Sequence, residues 1–396
     1  MESKTQIRIN FEEQISLISD NLQSLRTQIP TFGLSFGKLS IALFYCYLSD
    51  YQKDEKHLTI AGDVLDECFE EMSPKLYKGH NYFLELAELG MFLEFVKKNN
   101  WYSADTEQFL ESIDKHLYEY MKKKIALKNL DVYVGALVAG SYYLNRKTEN
   151  DLVEKYLQEL VVTIDSLKLL DESGGYFWQS PIFNDERVYT GISHGSAMII
   201  NFLCGVHQKG IEIQLCEDLI NKACLCLQNI KGKDTRKALY PNIIGEKLGA
   251  IQLNFCYGDL GTSYALLRAS QVLKDEILHQ EILNDLHDLG QLTDSASTSI
   301  NDAGITYGAV GVATIFNKIA KLENNPIFES YANFWYEKIL DFRTHNNQTV
   351  GYQAQFNQYN PATNIAFGEG IAGIGIAMMC FLNKKLPPVY ELIGLR

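Results

Sequence analysis

Residues 254–267 read NFCYGDLGTSYALL, a cysteine, a tyrosine and two close-set glycines placed directly before a helix-forming run. Cys256 is a potential thiolate, and Tyr257 puts a phenol beside it. Gly258 and Gly261 remove the side chains that would keep a ligand or another backbone away. Alone, the stretch has a simple structural reading, because Gly, Ala and Ser let inner helices pack closely and free cysteines are commonly buried. The same pattern recurs along the chain, however, and that recurrence decides the fold.

Ahead of the first copy, apolar residues at Phe11, Ile15, Ile18, Leu22, Leu25 and Ile29 step by four and three and define one face of an amphipathic helix. Pro30 and Gly33 break that pattern. The next run, GLSFGKLSIALFYCYLS over 33–49, is apolar around most of its circumference and starts in small residues, which predicts a buried helix with a glycine-rich entrance. Further charged amphipathic stretches fall at about 53–72, 104–123, 150–168, 212–230, 273–292 and 326–343, each followed by an apolar stretch. Aligning the entrances puts Gly37, Glu85, Gly135, Gly195, Gly258, Gly308 and Gly370 in register, with spacings of 48, 50, 60, 63, 50 and 62. The second copy, FLELAELGMFLEF over 83–95, is the most degenerate.

Seven polar-faced helices alternating with seven nearly all-apolar ones predict two concentric layers, an all-α, α/α toroid forming one domain over 1–396. Three spacings are longer, and the excess lies just before Gly195, Gly258 and Gly370. These insertions, including GGYFWQSPIFNDERVYT (174–190) and GYQAQFNQYNPATNIAF (351–367), are aromatic and carry short alternations that suit a strand pair or a long loop. All three are expected at one mouth of the scaffold, where binding surfaces usually arise.

Composition narrows the function. With 36 basic against 49 acidic side chains, the net charge of −13 argues against nucleic acid and anionic membrane. The N-terminus lacks an apolar signal core, and the longest apolar run, 370–382, is short of the ~20 residues that span a bilayer, so a cytoplasmic protein is expected. Eight scattered cysteines read as reduced, mostly buried thiols.

Candidate chemistry clusters at the entrances. GISHG (191–195) matches the G-x-S-x-G elbow with Ser193 central, but that motif needs a strand feeding a turn above a parallel sheet, and its neighbours here are helical repeats. His194 is the more informative residue. It precedes the aligned glycine of copy four as Tyr257 does in copy five; copy six offers Thr306 and Tyr307 in GITYGAVGVATIF, and copy three offers Asp131 in DVYVGALVAG. An acid, an imidazole, a thiol and phenols at matching repeat positions could form a site. The alternative is that Asp131 and His194 only satisfy helix N-termini. The other histidines lie in polar helices or loops.

The sevenfold arrangement, the HG of copy four, the CYGDLG of copy five and the C-terminal GEGIAGIGIA (368–377) together resemble the lanthionine synthetase C-like family over nearly the whole chain. The resemblance implies an α/α toroid that matures a ribosomally made precursor peptide, as a cyclase adding cysteine thiols to dehydroalanine or dehydrobutyrine, with a dehydratase as a possible partner. It also implies a zinc ion held by two cysteines and a histidine, which would deprotonate the thiol, and a nearby acid to protonate the enolate. Position by position, Cys256 matches the first zinc ligand, His194 the active-site histidine, Asp131 the aspartate of copy three, and Tyr257 the residue after the first ligand. Thr306 and Tyr307 stand where the other two ligands are expected, and Gln252 replaces an arginine. A threonine hydroxyl and a phenol are poor zinc ligands. Two expectations follow: a cyclase with a weakened or atypical metal site, or a zinc-free pseudoenzyme that binds a peptide or a modification enzyme. A lesser one is a sugar-active toroid, for which Asp131, Asp259 and Glu369 are the candidate carboxylates.

Overall fold

The computed structural model describes residues 2–73, 75–148, 150–181, 187–234 and 236–394. In chain order its helices are α1 (Glu2–Leu25), α2 (Leu39–Gln52), α3 (Lys56–Glu71), α4 (Tyr82–Lys98), α5 (Glu107–Ala126), α6 (Leu137–Asn145), α7 (Asp151–Leu167), α8 (Ser196–Gln208), α9 (Ile213–Ile230), α10 (Asp259–Leu273), α11 (Glu276–Gly290), α12 (Ser295–Thr298), α13 (Ala309–Glu323), α14 (Pro326–Lys338), α15 (Pro361–Ile365) and α16 (Ile371–Leu382). The chain divides into two compact units. One comprises residues 1–106 with 301–395, the other residues 107–300.

Burial separates the helices into the two kinds that the periodicity predicts. In α2 every residue from Leu39 to Ser49 is buried, in α16 every residue from Ile371 to Met379, and in α10 the run Asp259–Ser270. Helices such as α11 and α7 instead bury one stripe each. In α11 it is Leu278, Ile282, Leu286 and Leu289, and in α7 Val153, Leu157, Leu160 and Ile164, the three- and four-residue steps of an amphipathic helix. Phe11, Ile15, Ile18, Leu22, Leu25 and Ile29 are all buried, although Ile29 lies past the end of α1. In the first unit α2 packs against α3, α4 and α16, and α13 against α14; in the second, α8 lies against α6, α9 and α10, and α10 against α11.

Five of the seven entrances, those at Gly37, Gly135, Gly195, Gly258 and Gly308, share one loop geometry. The amide following the aligned glycine donates to the carbonyl seven residues earlier: Lys38 to Thr31, Ala136 to Asn129, Ser196 to Tyr189, Asp259 to Gln252 and Ala309 to Asp302, all at 2.8–3.1 Å. The loop thus doubles back beneath its own helix. The glycine is required where it crosses itself, since a Cβ on Gly195 would lie 2.3 Å from the Tyr189 carbonyl and one on Gly258 2.1 Å from the Gln252 oxygen. The small residues therefore make room for their own backbone.

Copy two departs from this plan, and its departure has a use. Glu85, at the glycine register, lies inside the first turn of α4. Its Oε2 accepts from the amides of Phe32 and Gly33, both at 2.9 Å, and Glu88 accepts from the amides of Leu34 and Ser35 and from the Ser35 hydroxyl. Two glutamates of copy two thus hold the entrance of copy one. Burial pushes the Glu88 carboxyl up to about 7, against the partial opposition of those hydrogen bonds. A carboxyl whose folded pKa is raised contributes stability that is fully present below its unfolded value, near 4.5, and lost as pH rises through about 7. Thermal unfolding midpoints should therefore be higher at pH 5.5 than at pH 8, and Glu88→Gln should narrow the difference. An unchanged difference would remove Glu88 as its source.

The insertions resolve differently from one another. That before Gly195 contains an antiparallel hairpin, Leu169–Leu170 with Tyr176–Phe177; residues 182–186 of it lie outside the described set. Its end pairs with the insertion before Gly258, through Thr190 N to Asn242 O at 3.1 Å and Ile244 N to Val188 O at 2.9 Å. The insertion before Gly370 includes α15, begun by Asn360 accepting from the Ala362 amide with Pro361 at the first helical position. Among the described residues, no helix is long and apolar enough to cross a membrane.

Candidate functional site

Three entrance loops of the second unit converge on His194. Its Nδ1 lies 2.7 Å from Oδ2 of Asp131, so copies three and four are joined by an imidazole–carboxylate pair. Asp131 is 1% exposed and His194 9%. The other carboxylate oxygen, Oδ1, accepts from the amides of Tyr133 at 2.7 Å and Val134 at 3.0 Å, and the Ser180 hydroxyl reaches Oδ2 at 3.4 Å. Asp131 is thus fixed by its own loop before it meets the histidine.

Copy five closes on the same place. The Tyr257 ring lies 5.7 Å from the His194 ring, and its amide donates to Asn254 Oδ1 at 2.9 Å. Burial pushes the Tyr257 phenol up to about 12, with the neighbouring Cys256 adding to the shift. Gly191 explains how the loops approach: a Cβ there would lie 2.9 Å from the Cys256 carbonyl oxygen and 3.5 Å from Tyr257 Cα. The first glycine of GISHG is therefore a point of loop-to-loop contact. Among the described residues, no strand feeds Ser193, which is buried.

Asp131, His194 and Tyr257 are therefore brought together, with Cys256, itself 3% exposed, next to Tyr257 in the chain. Among the described residues, two further aromatic rings lie near His194, Tyr133 at 5.6 Å and Tyr189 at 6.4 Å between ring centroids. The repeat register singles out neither, because Tyr133 lies two residues before its glycine and Tyr189 six before. Asp259 serves the backbone, accepting from the Tyr240 amide at 3.1 Å, and burial pushes its carboxyl up to about 7.

Thr306 and Tyr307 belong to the first unit. The Thr306 hydroxyl donates to the Gly368 carbonyl at 3.0 Å, and the Tyr307 ring stacks on Phe356 at 4.5 Å. Among the described residues, no three His, Cys, Asp or Glu side chains are grouped to hold a metal ion.

The layered helical pairs and their matched entrances define an all-α repeat protein, and comparison with solved structures places it among the α/α toroids. A structure titled nisin cyclase matches over 98% of this chain and 98% of its own, with a TM-score of 0.74 at 17% sequence identity. A cellobiose 2-epimerase from Bacillus thermoamylovorans B4167 covers 95% and 99% at 11% identity with a TM-score of 0.42. No curated protein matches in sequence. The model of the lanthionine synthetase C-like proteins matches residues 29–392, and the chain belongs to that family.

Proposed function

We propose that the protein promotes the addition of a peptide cysteine thiol to a dehydrated serine or threonine residue, with His194 as the proton carrier. The observation that carries this reading is the buried 2.7 Å bond between His194 Nδ1 and Asp131. A carboxylate on Nδ1 sets the tautomer and stabilises the imidazolium, leaving Nε2 as the nitrogen that exchanges a proton with substrate. A thiol of pKa ~8.5 gives its proton to Nε2. The thiolate adds to the β-carbon, the C–S bond forms as the C=C electron pair moves into an enolate, and the imidazolium returns the proton to the α-carbon. The product is an isomer of the substrate, so no oxidant or reductant is required. The dehydrated residue must be supplied by a dehydratase, the partner that this reading calls for.

The family's zinc chemistry is not invoked, because the residues do not fit it. Thr306 is engaged with a carbonyl and Tyr307 with a ring, and neither is a donor that catalytic zinc favours. These same two residues favour a second reading, a peptide-binding scaffold in which thioether chemistry has lapsed.

A synthetic peptide carrying one dehydroalanine and one cysteine separates the two. Under the first reading the protein accelerates loss of free thiol without change of mass, and His194→Ala lowers the rate about 10²-fold or more. Peptide binding with no acceleration over buffer would leave only the scaffold. After dialysis, zinc should stand well below one per chain and be unaffected by Cys256→Ala. A stoichiometric zinc ion lost in that variant would overturn the metal-free mechanism.

A further inference from the structure

In the first unit a second pair of acidic side chains is unused by this chemistry. Glu369 immediately precedes Gly370, the repeat position that His194 holds in copy four. It is 2% exposed, and its Oε2 is buried without a hydrogen-bond partner. Its Oε1 accepts from the side-chain amide of Asn357, through Nδ2, at 2.5 Å. Asp302, 4% exposed, accepts from the Gln355 amide at 3.0 Å and the Gly304 amide at 2.9 Å. Burial pushes the Glu369 carboxyl up to about 7, and the nearby Asp302 carboxyl adds to the shift. Among the described residues, neither has a Lys, Arg or His partner.

The loop over these carboxyls carries an aromatic platform. Phe356, between the two residues that the acids hold, is 65% exposed and stacks on Tyr307 at 4.5 Å with 30° between the rings. Gly304 lets the two entrances meet, since a Cβ there would lie 2.8 Å from Glu369 Cα. A buried oxygen without a donor, a second carboxyl beside it and an exposed ring pair combine hydrogen-bond acceptors with π-faces. Such a setting complements a cation with a flat face.

We propose that Asp302, Glu369 and the Tyr307–Phe356 stack form a binding site for a positively charged side chain of a peptide ligand, arginine before lysine. The guanidinium takes the place of the half-buried Asn357 amide, donating to both oxygens of Glu369 while its plane lies against the aromatic pair. Asp302 holds the loop through its backbone, so the platform is preorganised. The peptide nature of the ligand rests on the proposed function, whereas recognition of the cation does not.

The test titrates Nα-acetyl-arginine amide, its lysine analogue and its uncharged citrulline isostere against the full chain, followed by calorimetry or ligand-observed NMR. Arginine should bind most tightly and citrulline about tenfold or more weakly. Glu369→Gln and Phe356→Ala should each weaken arginine binding about tenfold; Phe356 is largely in solvent, so its variant tests the site with the fold intact. Equal binding of arginine and citrulline, or unchanged binding in both variants, would overturn the proposal, as would displacement of arginine by equimolar Ca2+ or Zn2+. His194→Ala should slow peptide cyclisation about 10²-fold or more and leave arginine binding unchanged. Failure of the cation site and failure of the proposed chemistry therefore give different results.

Discussion

Asp131→Asn should reduce thioether formation about 10²-fold or more while the protein stays folded. The expectation follows from the division of labour between the two carboxylate oxygens. Oδ1 accepts from the Tyr133 and Val134 amides and secures the copy-three entrance, a task that an asparagine oxygen can also perform. Oδ2 meets His194 Nδ1, where asparagine would present N–H in place of an acceptor. The imidazole would then be held in the wrong tautomer, with its acceptor nitrogen turned toward the protein and its N–H toward substrate. Such a histidine cannot begin by accepting a thiol proton. Asp131→Ala removes both functions and should also cost about 1–2 kcal/mol of stability through the lost amide contacts. The pair of variants, compared by rate on the dehydroalanine peptide and by unfolding midpoint, separates proton control from loop structure. Full activity in Asp131→Asn would mean that the 2.7 Å contact is architectural, and the scaffold reading would then stand.

The repeat register makes this pair legible in the sequence. It assigns Asp131, His194 and Tyr257 to equivalent loops, and equivalent loops place side chains at equivalent ends of their helices. The register is less informative about residues that reach the histidine from off-register positions. Tyr133 arrives from within the copy-three turn, and Tyr189 from the base of the copy-four loop, where its carbonyl takes the seven-residue return bond. Long-range loop pairing such as Thr190 with Asn242 has no local sequence signal, because it depends on which insertions the fold brings side by side. The glutamates of copy two are legible as a departure from the pattern, but their partners are not. A carboxylate that accepts backbone amides needs no complementary side chain, so the entrance at residues 32–35 bears no mark of Glu85 or Glu88. The helical layers, in contrast, are written plainly, since each buried helix must be apolar all round and each outer helix only along one stripe.

The entrance glycines give the largest expected effect on folding. Gly258→Ala would put a Cβ 2.1 Å from the backbone carbonyl oxygen of Gln252 and 2.3 Å from that of Asn254, and both residues are held in place. The Gln252 carbonyl holds the first amide of α10, and the Asn254 side chain holds Tyr257. Relief requires unfolding the loop, and a destabilisation above about 4 kcal/mol is expected, enough to deplete soluble protein. Gly62→Ala is the control. Gly62 lies within α3, and a Cβ added there would meet nothing within 4 Å, so alanine should stabilise by about 0.5–1 kcal/mol. Gly191→Ala falls between these extremes, because its Cβ would meet the Cys256 carbonyl oxygen at 2.9 Å, a contact that a small shift of one loop relieves. Its stability loss should be about 1–3 kcal/mol. Its rate should fall further than that loss explains, since the shift moves Tyr257 relative to His194 and misplacing reacting groups slows chemistry steeply. Thermal unfolding of the three variants, with rates measured on the folded fraction, tests the ordering. A Gly258→Ala protein melting with the wild type would show that the entrances tolerate a side chain, and the crossing-loop account of the repeat would fail.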